Sequence, residues 1–73
     1  MKRKQIGLAD ARKAKGFTQA GLAGRVGVRS GAVGNWECGL RMPRPDHIRT
    51  ICRLLGVPFE QLVFPKETGG IVS

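Results

Sequence analysis

The sequence predicts an all-α fold, a compact arrangement of five short helices with no sheet. Three observations lead there. Apolar residues recur at helical spacing along most of the chain. Gly or Pro breaks that pattern every ten or so positions, where helices would stop. No stretch alternates apolar and polar residues with period two for long enough to make a strand. Seventy-three residues suffice for one domain. So small a core supports a stability on the order of 5 kcal/mol or less.

The elements follow in order. Residues 1–5, carrying Lys2, Arg3 and Lys4, read as a basic N-terminal arm, and residues 6–64 as the folded domain. The first helix is expected from Ile6 to Lys15, with Ile6, Leu8 and Ala11 turned inward and Gly16 as its stop. Thr18 is a good N-cap for a second helix, Gln19 to Val26, whose apolar face is Leu22, Ala23 and Val26. Gly27 ends it, and Val28 packs in the turn. A third helix spans about Ser30 to Glu37. Ala32, Val33 and Trp36 share its inner face, while Ser30, Gly31, Gly34, Asn35 and Cys38 fall on the other, and Gly39 closes it.

The loop Leu40-Arg41-Met42-Pro43 leads to a fourth helix with Pro45 near its first position and Asp46 in its first turn, where both are favoured. Ile48, Ile51, Cys52 and Leu55 give it a buried stripe before Gly56. A fifth helix is expected over Pro58 to Val63, burying Phe59 and Leu62. Residues 65–73 read as a frayed tail, and the chain has no internal repeat or linker.

Composition narrows the function. Thirteen Lys and Arg against five acids give a net charge of +8, the footprint of a protein that binds a polyanion. The cations are scattered over many short segments rather than along one amphipathic helix, which favours nucleic acid over a membrane surface. No apolar run approaches the ~20 residues needed to span a bilayer, and no signal-peptide core is present, so a cytoplasmic protein is expected. Cys38 and Cys52 read as free thiols. With His47 the only histidine, the chain has too few ligands for a zinc site. No catalytic triad, carboxylate pair or phosphate loop is legible, so neither an enzyme nor a cofactor is implied. Two short helices joined by a tight turn, in a chain this basic, point to a helix offered to the major groove of DNA.

The motifs Gln19-x-x-Leu22-Ala23, Gly27-Val28, Trp36-Glu37-x-Gly39, Pro43 and Leu55-Gly56-Val57 occur in order across residues 6–64. In this the chain resembles the Cro/CI-type helix-turn-helix family of phage repressors and xenobiotic-response-element regulators, with their lambda-repressor-like domain. The resemblance implies that Thr18 and Gln19, at the start of the second helix, meet a DNA phosphate. Helix-end amides and the helix dipole favour an anion there. It implies further that the third helix is the recognition helix, presenting Arg29, Ser30, Gly31, Gly34 and Asn35. Asn can pair with adenine, Arg with guanine, and Ser with several groups. Arg29 stands where the family often has a capping Ser or Thr, so it is read as a phosphate or a guanine contact, and Ser30 could take over capping. Arg41 and Arg44 would clamp phosphates on the far side.

Gly31 and Gly34 depart from the family pattern, and glycine within a helix costs about 1 kcal/mol relative to Ala. Either the bare face lets the backbone approach the groove closely, or these helices are weak and held by packing. Glu37 resembles the family's acid that pairs with a first-helix arginine, here Arg12. Arg49 and Arg53 are read either as a solvated face or as further contacts with DNA. The implied function is a sequence-specific regulator of transcription, a repressor acting as a homodimer on two half-sites. Phe59, Val63, Phe64, Ile71 and Val72 are candidates for the protomer contact. The alternative is an antitoxin or adaptor whose same fold chiefly binds a protein partner.

Overall fold

Thr18 starts a helix because its backbone is extended (φ −81°, ψ 168°) and its hydroxyl oxygen accepts from the amide of Gly21 at 2.9 Å. Gly27 stops that helix in the left-handed region, with φ 93°. Its amide and that of Val28 both donate to the carbonyl of Ala23, at 2.8 and 2.9 Å. The same device closes the next two helices at Gly39 (φ 82°) and Gly56 (φ 68°).

The computed structural model describes residues 5–65. Along them run β1 (Ile6–Gly7), α1 (Leu8–Ala14), α2 (Gln19–Val26), α3 (Ser30–Cys38), α4 (Pro45–Leu55), a single 3-10 turn (Phe59–Gln61) and β2 (Leu62–Val63). The two strands form a minimal parallel sheet, Ile6 opposite Leu62 and Gly7 opposite Val63. The core is Leu8, Ala11, Leu22, Ala23, Val33, Trp36, Ile51, Leu55 and Leu62. Ile6, Val26, Val28, Ala32 and Cys52 pack half-buried around it. Each of the four α-helices contributes two or more of these buried residues, so the faces read from spacing are the faces that pack.

Two expectations are corrected. The first concerns the five helices: four α-helices are present among the described residues, and the fifth segment is only a 3-10 turn followed by strand. Its composition explains this. Val63 is β-branched, and Phe64 precedes Pro65, which biases it to extended backbone. The second is the absence of a sheet. Ile6 and Gly7 lie in a strand rather than in α1, with Gly7 at φ −71°, ψ 157°. Glycine is a poor helix residue, and the ladder to Leu62–Val63 satisfies the backbone there instead. Phe59, expected to be inside, is 61% exposed, because the short turn aims Leu62 rather than Phe59 at the core. The N-terminal arm and most of the tail, including Ile71 and Val72, lie outside the described residues.

Candidate nucleic-acid interface

α2 and α3 form the candidate interface, joined by Gly27, Val28 and Arg29. Leu22 and Ala23 of α2 and Val33 and Trp36 of α3 are fully or almost fully buried, so the pair is held rigidly by its inner faces. Beneath α3 the ring of Trp36 lies 5.8 Å from that of His47 on α4, tilted by 37°. Trp36 is therefore part of the packing and not available to stack on a base.

The outer face of α3 begins with Arg29, Ser30 and Gly31, all exposed. Arg29 takes the N-cap position with extended backbone (φ −74°, ψ 152°) and no side-chain cap. Its carbonyl accepts from the amide of Ala32 at 2.9 Å. Among the described residues, no side-chain hydrogen bond caps the first turn of α3. Asn35 is half-buried, and its carbonyl accepts from the amides of Leu40 at 2.9 Å and Arg41 at 3.4 Å, which closes the helix.

The two glycines of α3 are not alike. A Cβ on Gly31 would meet nothing within 4 Å, so that position offers bare backbone to solvent. A Cβ on Gly34 would meet the carboxamide of Gln19, with its oxygen at 3.6 Å and its nitrogen at 3.7 Å. The missing side chain of Gly34 is replaced by one from α2. In α2, Gly24 is open, whereas a Cβ on Gly21 would come to 3.0 Å from the capping hydroxyl of Thr18.

At the start of α2, Thr18 and Gln19 are exposed. The Thr18 hydroxyl accepts from Gly21 and keeps its own O–H to donate. The Gln19 amide nitrogen donates to Glu37 Oε1 at 2.9 Å. Glu37 in turn receives Arg12, whose Nε lies 2.5 Å from Oε2 and whose Nη2 lies 3.3 Å from Oε1. Arg12 Nη1 donates to the Phe17 carbonyl at 2.8 Å. Both charged side chains of the pair are 9% exposed. Burial raises the Glu37 carboxyl, but hydrogen bonds from Arg12 and Gln19 and the charges of Arg12 and Lys13 outweigh it, leaving the group below its ordinary value.

Arg41 and Arg44, in the loop from α3 to α4, are exposed and form no ion pair among the described residues. Arg25 is engaged differently, with its guanidinium 5.9 Å from the centre of the Phe17 ring. Arg49 and Arg53 are exposed on α4. Arg49 lines an apolar groove of about 390 Å³ with Pro45, Ile48, Cys52 and Phe59. Both thiols are free, Cys38 exposed and Cys52 half-buried, the latter pushed up by burial and by Glu60.

The contacts of Gln19 with Glu37 and Gly34 escape a reading of the sequence. They join positions 18 and 15 residues apart on different helices, and no periodicity marks them. The only hint is the coincidence of a glycine on an outward helical position with a long polar side chain at the neighbouring helix start.

A model of the helix-turn-helix family matches residues 8–62. No curated protein and no solved structure matches the chain.

Proposed function

The chain belongs to the helix-turn-helix family, and on that premise we propose that it is a sequence-specific, double-stranded DNA-binding repressor of transcription. α3 enters the major groove by its N-terminal turn. Arg29 and Ser30 present donors to base edges or the adjoining phosphate, Gly31 allows close approach of the backbone, and Asn35 reads from one turn further on. Thr18 and Gln19 at the start of α2 meet one phosphate, and Arg41 and Arg44 meet others. The protein acts as a homodimer on half-sites about one DNA turn apart. The exposed Phe59 and Val63 are the described residues proposed for the contact between copies.

The observation that carries this reading is the exposure of basic side chains before and after α3 in the chain. Arg29 at its N-cap and Arg41 and Arg44 in the loop after it are exposed and form no ion pair among the described residues, and the Arg29 side chain does not cap its first turn. With few side chains on α3 itself, much of the sequence choice comes from DNA shape and deformability. Selection from random duplexes by gel shift, at two salt concentrations, tests the reading. Enrichment of a two-half-site sequence supports it, and failure to enrich any sequence contradicts it.

A further inference from the structure

We propose that Glu37 is a positioning residue for DNA-backbone binding, which holds the Gln19 carboxamide over Gly34 as a preset phosphate donor. The proposal rests on the reading that Gln19 meets a phosphate.

The geometry makes a short chain from the interior to the surface. The Phe17 carbonyl holds Arg12 at 2.8 Å, Arg12 holds Glu37 through two nitrogens, and Glu37 holds the Gln19 amide nitrogen at 2.9 Å. A carboxylate only accepts hydrogen bonds, so Glu37 dictates which end of the Gln19 carboxamide faces it. The nitrogen must turn toward α3. One of its two N–H groups is then committed, and the other belongs to an exposed side chain at a helix N-terminus.

Gly34 supplies the seat. Its missing side chain leaves room for the carboxamide to lie 3.6–3.9 Å from where a Cβ would be. The Arg12 guanidinium neutralises Glu37, so a carboxylate can hold the donor without repelling the incoming phosphate. A free glutamine side chain would have to be ordered on binding. Fixing it beforehand is worth about two- to tenfold in affinity.

The test uses the full chain on its selected operator, with neutral methylphosphonates replacing single phosphates. Four proteins are compared: wild type, Gln19→Ala, Arg12→Met/Glu37→Met, and the triple variant. In wild type one methylphosphonate weakens binding, and Gln19→Ala abolishes that sensitivity while lowering affinity about tenfold or more. In the Arg12→Met/Glu37→Met background, Gln19→Ala costs two- to tenfold less than in wild type. An equal Gln19→Ala loss in both backgrounds overturns the positioning role, as does a Gln19→Ala protein that binds like wild type. If the Met pair does not fold, hydrogen exchange of the wild-type Gln19 carboxamide decides. One hydrogen slowed relative to the other by more than in a free glutamine carboxamide supports the proposal, and the free-glutamine pattern overturns it. Wild type binding no duplex at all overturns the DNA-binding reading underneath, and with it this inference.

Discussion

Glu37→Met removes the acceptor from an arginine that is only 7% exposed. Arg12 donates two side-chain hydrogen bonds to Glu37, and a third, to the Phe17 carbonyl, survives. Breaking a buried ion pair on one side costs about 3–5 kcal/mol, and the surviving carbonyl contact puts this case at about 3. That is most of the stability available to a domain of this size, about 5 kcal/mol. At about 4–8 °C per kcal/mol, the midpoint falls by about 12–24 °C. Arg12→Met/Glu37→Met replaces both charges by apolar side chains of similar length, and its stability returns to within about 1 kcal/mol of wild type. Thermal unfolding by circular dichroism of wild type, both single variants and the pair gives the coupling directly. The pH dependence gives a second check. A folded-state pKa below the unfolded one contributes stability that is fully present above the unfolded value, near 4.5, and is lost as pH falls through the folded value. Wild type therefore loses stability below about pH 4.5 through this group, and Glu37→Met lacks that part of the decline. A double variant no more stable than the sum of the singles would refute the reasoning.

Three further outcomes follow from the same geometry. Gly24→Ala, in open space on α2, raises stability by about 0.5–1 kcal/mol, whereas Gly21→Ala gains less or loses because its Cβ meets Thr18 Oγ1 at 3.0 Å; denaturant titration separates the two. Leu22→Ala, at a position with no exposed surface, costs about 2–5 kcal/mol and leaves a chain largely unfolded at 37 °C by circular dichroism. Arg41→Ala weakens binding about equally on different duplexes and reduces the slope of log K against log[salt] by about 1, as measured by fluorescence anisotropy.

The sequence was most legible where local chemistry and tertiary packing agree. Thr18, Gly27, Gly39 and Gly56 mark helix ends that hold in three dimensions, because each satisfies end groups by a hydrogen bond or a left-handed turn. The stripe of Ile51 and Leu55 is buried as its spacing requires. Legibility fails at the two short strands that pair. Ile6 and Leu62 have helix-compatible neighbours, and only their pairing 56 residues apart makes them strand. The apolar spacing of Phe59 and Leu62 fits a helix equally well, yet the Phe64-Pro65 step and the pairing of Leu62–Val63 with Ile6–Gly7 leave room for one turn only. At the interface, the framework of α2 and α3 was readable, but the use of Gly34 was not. Its role depends on a side chain brought from another helix.

On the proposed function, the N-terminal turn of α3 together with Arg29, Arg41 and Arg44, which form no ion pair among the described residues, binds duplex DNA through phosphates. The most direct test is the salt dependence of affinity for the selected operator, measured by anisotropy from low to physiological ionic strength. With about four phosphates neutralised per monomer, log K falls with log[salt] at a slope near −3.6 per monomer. Affinity that does not change with salt would contradict the account.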